Sequence, residues 1–507
     1  MTPRTRSHAG RWLLGFATLA GALAVLVALI LGQEPRPARQ GSARVAAGPA
    51  STAAAPVEAA ACRGVRLRPG VDAQATLARH PEGASFCFSR GVYRLAAPLV
   101  PKARQRLVAR PGAVLSGARV AKGWQRVAGR WRVAGQLPAD PTAHGECADG
   151  GESCRVAEAV FLDDRRLQRV ARLADVGPGR VYADYQRNLI WLGDDPRGRA
   201  VEVARAEAAV AGRVQGVVVD GFVVERFANP AQHGAIHAEG RGWRIQRNEI
   251  RWNHGVGLFS VGARVRGNHV HHNGQLGLGG GGDDQLVEGN EIDHNNTEGF
   301  LPNWEAGGAK WVGTSGLVVR ANNVHHNQGP GLWTDINNVD TLYEDNVVHA
   351  NATHGIFHEI SYRAVIRDNR VTDNGHGDPL PGWGGAGIRV AASPDVEVHG
   401  NLVAGNRNAI MLVQQVRTDS PSRHGPHELH GVDVHDNQVI MPGGRTGIVD
   451  DTDEARSFGR GNRFRGNTYR LPAENGDVFA WQGQEWDWTA WTRRFGQDAT
   501  GKLIGSE

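Results

Sequence analysis

From about residue 241 the chain alternates apolar and polar residues in short bursts, and the bursts repeat. Four segments show the unit: "ARVRGNHVHHNGQLGL" from Ala263, "QLVEGNEIDHNNTEGF" from Gln285, "GLVVRANNVHHNQGPGL" from Gly316 and "TLYEDNVVHANATHGI" from Thr341. Each reads as two short alternating strands around an asparagine, then Asn-Gly-type turn residues, then a third strand. The asparagines recur at Asn248, Asn268, Asn290, Asn323, Asn346, Asn369, Asn401, Asn437 and Asn467, with spacings of 20, 22, 33, 23, 23, 32, 36 and 30 residues. A basic period of about 22 with insertions at one corner marks a solenoid. Three short strands per turn of that length predict an all-β fold, a right-handed parallel β-helix with rungs about 4.8 Å apart. A column of inward asparagines can hydrogen-bond the backbone and one another, which satisfies buried corners. The "HHN" runs fall at these corners, and their regular recurrence assigns the histidines to turn chemistry, with no metal.

Aligning the third strands gives an apolar column of Ile236, Leu258, Leu278, Ala309, Leu332, Ile356, Ile388, Ile410 and Ile448, which must face the core. Strand alternation sends the next residue outward. That column is His237, Phe259, Gly279, Lys310, Trp333, Phe357, Arg389, Met411 and Val449. Two positions on, the outward column is Glu239, Val261, Gly281, Val312, Asp335, Glu359, Ala391, Val413 and Asp451. Lys310, Asp335, Glu359 and Arg389 therefore share one outward face on successive rungs, beside Trp333 and Phe357. Insertions flank the same strip: "TEGFLPNWEAGGAK" from Thr297 carries Trp304 and Glu305, and "GHGDPLPGWGGAGIR" from Gly375 carries Trp383. Together they can wall a groove.

The remaining pattern divides the chain. Residues 1–32 hold an uncharged apolar run, Trp12 to Leu31, behind Arg4, Arg6 and Arg11. The run is long for a secretory signal and fits an uncleaved signal anchor better than a cleaved signal. Residues 33–60 are rich in Ala, Pro, Gly and Ser and read as a flexible tether. Residues 61–212 form the N-terminal cap and first rungs with an insertion near 121–205, residues 213–470 the β-helix, and residues 471–507 a C-terminal cap. That last stretch carries four tryptophans from Trp481 to Trp491, and a short amphipathic helix there covers the solenoid end.

Hydrophobic residues make up 40% and charged residues 21%, which permits a core and excludes wholesale disorder. The formal charge is +5. Removing the three N-terminal arginines from 57 basic residues leaves 54 against 52 acids, too even for a nucleic-acid binder built on bulk charge. The four cysteines Cys62, Cys87, Cys147 and Cys154 include no C-x-x-C. Pairing by proximity gives Cys62–Cys87 and Cys147–Cys154, one of three connectivities, and export would permit it. There is no cofactor signature. Asp283 and Asp284 are a pair open to Ca2+, although neighbouring acids in a Gly-rich turn read first as a solvated turn.

The runs "WEAGGAK", "GPGLWTDINN", "GIFHEISY" and "WGGAGIRV" resemble bacterial right-handed β-helix repeat-containing proteins of the pectate-lyase-like superfamily. The resemblance covers roughly residues 62–500. It implies the fold, and a site on this outward strand face acting on polysaccharide. It transfers no catalytic motif, because the scaffold hosts several chemistries.

Like positions on adjacent rungs place carboxylates about 5–8 Å apart, a range that spans retaining and inverting glycosidases. Asp335 and Glu359 repel when both are charged, which raises one pKa and makes a general acid; Lys310 or Arg389 then lowers the other. This is the hydrolase expectation. A lyase would instead use Lys310 or Arg389 against a uronate, with inward-pointing His358 a further base. A third expectation is a non-catalytic surface protein that binds glycan. The plainest alternative is a charge ladder of cross-rung ion pairs. The sequence-level expectation is an exported, monomeric β-helix protein that cleaves an extracellular polysaccharide. It is held to the membrane by its N-terminal helix, or secreted if that segment is cleaved.

Overall fold

One rung shows why the chain stacks. Arg244–Gln246, Glu249–Arg251 and Val256–Val261 are three strands of one turn. Each points one apolar residue inward, Ile245, Ile250 and Leu258, and all three are fully buried. Strands this short bury too little apolar surface alone, so stability comes from the next rung. Ile245 pairs in parallel with Val265, Ile250 with Val270 and Leu258 with Leu278. The computed structural model describes residues 62–139, 144–380, 382–417, 422–452, 455–471 and 476–504.

Among these residues the rungs form three parallel ladders. The first runs from Val65–Leu67 to Arg463–Arg465, the second from Gly91–Arg94 to Lys502–Ile504, and the third from Val210–Gly212 to Phe479–Trp481. A single core runs the length of the stack, from Leu67 to Trp491. Its N-terminal end is covered by the helix Ala73–Arg79, whose Leu77 is buried and whose first turn is capped by Asp72. Its C-terminal end is covered by Trp491, stacked on Phe479 at 5.1 Å. The expected amphipathic helix there is a single turn, Ala490–Arg494. The insertion is a small antiparallel unit with its own core around Val133, Leu162, Ile190 and Val203.

The asparagine column exists, with one correction. The ladder runs Asn248, Asn268, Asn290, Asn322, Asn346, Asn369, Asn401, Asn437, Asn467, so the fourth member is Asn322 and not Asn323. Asn323 opens the next strand and faces outward, paired with Glu291 and Val347. A second ladder, unforeseen from the sequence, runs Asn253, Asn273, Asn295, Asn327, Asn351, Asn374, Asn406. It closes the turn between the second and third strands. The third-strand columns also hold, except at the last rung, where Ile448 pairs with Leu412 rather than Ile410.

Disulfides join Cys62 to Cys87 and Cys147 to Cys154, with Cα separations of 5.7 and 5.5 Å. The expected N-terminal anchor and the whole of the tether, residues 1–60, lie outside the described residues. Among the described residues no helix is long and apolar enough to cross a membrane.

Candidate functional site

Four successive strands of the third ladder build the site: Gly307–Ser315, Leu332–Asp335, Ile356–Glu359 and Ala386–Ala391. Their register aligns Lys310, Trp333, Phe357 and Arg389 in one outward column, and Val312, Asp335, Glu359 and Ala391 in the next. Inward neighbours Leu332, Ile356 and Ile388 are fully buried, so the pleat fixes the outward direction of the site residues.

The first column is a stack of cations and rings. The Lys310 ammonium lies 4.0 Å from the Trp333 ring centroid. Trp333 and Phe357 stack at 5.5 Å with an interplanar angle of 11°. The Arg389 guanidinium lies 4.4 Å from the Phe357 ring and 4.2 Å from the Trp383 ring. Desolvated cation–π contacts of this kind contribute about 2 kcal/mol each. Lys310, Trp333, Phe357 and Arg389 are all buried, and the ring faces meet each other and the cations rather than solvent.

The second column holds the acids. Lys310 Nζ donates to Asp335 Oδ2 at 2.9 Å and to Glu305 Oε1 at 3.0 Å. Glu305 sits in the short helical turn Pro302–Glu305, and its Oε2 accepts from Gln232 Nε2 at 2.7 Å. Glu359 pairs with Arg417, which also donates to Gln415 Oε1 at 3.0 Å. Arg389 Nη1 lies 3.1 Å from His354 Nε2. Trp383 hydrogen-bonds Asp451, whose carboxyl is pushed up mainly by burial.

The electrostatics separate the groups. Burial, then the charge of Asp335, raises the Glu359 carboxyl above its ordinary value; Arg417 and Arg389 pull it back only in part. Burial pushes Lys310 down, but Asp335 and Glu305 outweigh it and hold the ammonium above its ordinary value. Burial brings Arg389 down to about 10, which leaves it cationic at neutral pH. Both neighbouring carboxylates are ion-paired, Asp335 to Lys310 and Glu359 to Arg417, and burial with the charge of Asp335 raises the Glu359 carboxyl.

Several residues singled out in the sequence stand elsewhere. Trp304 packs inside the insertion loop, 6.2 Å from Phe300 and 5.3 Å from His144, against the Cys147–Cys154 cluster. His358 points into the core, 2.7 Å from Thr334 Oγ1, and burial pushes it down to about 3. Asp283 is ion-paired with Arg241 at 2.7 Å on the surface. Sequence reasoning missed Arg417, Gln415 and His354. The signal for the first two was the longest spacing of the column, 36 residues from Asn401 to Asn437, which marks a third insertion over the same face.

The family model described as "Right handed beta helix region" matches residues 234–403. No curated protein sequence matches. Among solved structures, a complex of XylC with xylose aligns at a TM-score of 0.64 with 16% identity, over 85% of this chain and 82% of that one. A glycoside hydrolase aligns at 0.41 with 10% identity, over 76% and 88%. The periplasmic alginate epimerase AlgG aligns at 0.37 with 10% identity, over 82% and 84%. The protein is a right-handed β-helix repeat protein.

Proposed function

We propose that this is an exported carbohydrate-active protein that hydrolyses glycosidic bonds of an extracellular polysaccharide. The observation that carries the reading is the parallel pairing of Asp335 with Glu359 on adjacent rungs, with the Glu359 carboxyl raised above its ordinary value by burial and by Asp335. Glu359 donates its proton to the leaving glycosidic oxygen. Asp335, held by Lys310, acts on the other side, on the anomeric carbon or on the attacking water. Arg417 reaches further toward solvent than the acid it pairs with and meets the sugar first; its side chain is 30% exposed against 8% for Glu359. The two disulfides suit an oxidising compartment.

Lys310 and Arg389 also suit a uronate carboxylate, which is the lyase reading. Lys310 is a poor base for it, because two carboxylates hold its proton. The test is a panel of neutral polysaccharides, xylose polymers among them, and uronate polysaccharides. New reducing ends and the ultraviolet absorbance of unsaturated uronates are read together. Hydrolysis gives reducing ends alone. Asp335→Asn and Glu359→Gln each lower the rate by about 10²–10⁴-fold, while circular dichroism shows the fold intact. Unsaturated product moves the assignment to elimination. Reducing ends that persist in both variants sink the carboxylate pair. Binding without cleavage across the panel replaces catalysis by glycan recognition.

A further inference from the structure

The second ladder carries more imidazoles than its turns require. His272, His294 and His326 hold the left-handed position before the second asparagine ladder, with φ of 53°, 52° and 55°. Trp252, Ala350 and Asp373 hold the same position on other rungs, so the turn itself does not demand histidine. Histidine is tolerated there, and turn chemistry accounts for those three. It does not account for His269, His271, His325 and His349, which lie in extended strands.

The rings are arranged around one carboxylate. His272 and His294 stack at 5.0 Å and 7° across successive rungs, and His294 and His326 at 5.1 Å and 4°. Asp293 Oδ2 lies 2.6 Å from His294 Nδ1, and Oδ1 lies 2.7 Å from His269 Nε2. Donor atoms of His272, Asp293 and His294 all lie within 4.8 Å of one another.

We propose that His272, Asp293 and His294 bind one first-row divalent transition-metal ion, with Zn2+ as the reference ion, and so tie two rungs together. Two imidazole nitrogens and a carboxylate oxygen are a donor set that Zn2+, Cu2+ and Ni2+ share. The ion replaces the proton between Asp293 and His294. His269 stays on the other carboxylate oxygen and orients it, the usual role of an outer partner. Asp293 is 8% exposed and His294 46%, so the carboxylate is anchored while the open side admits the ion and its waters.

The test uses the full chain, stripped with a chelator and desalted. Zn2+ is titrated by calorimetry and Co2+ by visible absorbance. One ion per chain is expected. His272→Asn and His294→Asn keep a residue that tolerates the left-handed turn, and each weakens binding about tenfold or more and removes the Co2+ bands. His399→Asn, from a separate stacked pair with His435, leaves binding unchanged. Melting curves in chelator confirm that each variant folds. The proposal fails if the wild-type chain takes up no Zn2+. It fails if uptake survives both variants, or if it is lost only with His269→Asn, which would place the ion elsewhere.

Discussion

Asn322 and Asn323 are neighbours in sequence with opposite roles. Asn322 donates to the Val287 carbonyl and to Asn346 Oδ1, each at 3.0 Å, and accepts from Asn290. Replacing it by alanine strands buried groups on the two flanking rungs, each costing about 1–3 kcal/mol. Asn323→Ala, on the outward side, should stay within about 0.5 kcal/mol. Urea unfolding of the two variants separates them. His358 makes a second case. Its imidazole is held down to about 3 against an ordinary 6.5, and its Nε2 has no partner among the described residues. Between those values the unfolded chain binds a proton that the folded chain does not. Stability therefore falls as pH drops below about 6.5, by up to about 1.4 kcal/mol per unit from this residue. His358→Leu should flatten that acid limb by about one proton, read from urea midpoints between pH 7 and pH 4. Residue type and alternation placed His358 inward, but its contact with Thr334 needed the fold.

At the scale of the strand, six consecutive third strands bring a glycine against the second asparagine ladder, from Gly257 to Gly387. A Cβ on Gly331 would lie 2.8 Å from Asn351 Nδ2 and from the Gly355 carbonyl oxygen, and Gly257, Gly277 and Gly387 meet the same ladder. Gly331→Ala should cost about 1–3 kcal/mol by overpacking, seen as a lower unfolding midpoint, and it should not move the outward columns. Alternation read those columns correctly over eight rungs and then slipped at Ile448. The slip is two residues, and a two-residue shift leaves the same side chains facing in, so period alone cannot detect it. The one-residue error at Asn323 arises because both candidates in "ANNVHHN" are asparagine. The loops were legible only as places where spacing grows. The 36-residue spacing marks an insertion but says nothing of Arg417 reaching back to Glu359.

For the whole molecule, the limiting feature is the pair of open ends of a stack whose rungs depend on neighbours. Trp491 closes one end, with its indole nitrogen donating to Asp498 Oδ2 at 3.1 Å. Asp498 in turn terminates the first asparagine ladder at Asn467. Trp491→Ala should cost about 3–5 kcal/mol and expose a strand edge, so light scattering on heating should rise at lower temperature than for wild type. Over the middle of the stack, the insertion loops turn a surface ladder of charges into a buried network. Lys310, Asp335, Glu359 and Arg389 are each at most 7% exposed. This burial raises the Glu359 carboxyl and gives the two acids different characters.

The sequence by itself determined the repeat, the handed solenoid it implies, the alternation that sorts inward from outward residues, and the strip on which Lys310, Asp335, Glu359 and Arg389 meet. These are local properties: period, turn residues and pleat act within one rung and are copied to the next. Tertiary structure alone decided which asparagine joins the ladder, where Trp304 packs, that Arg417 covers Glu359, and that His272, Asp293 and His294 converge. Each depends on contacts between rungs or from insertion loops that are distant in sequence, and no periodicity encodes the path of a loop.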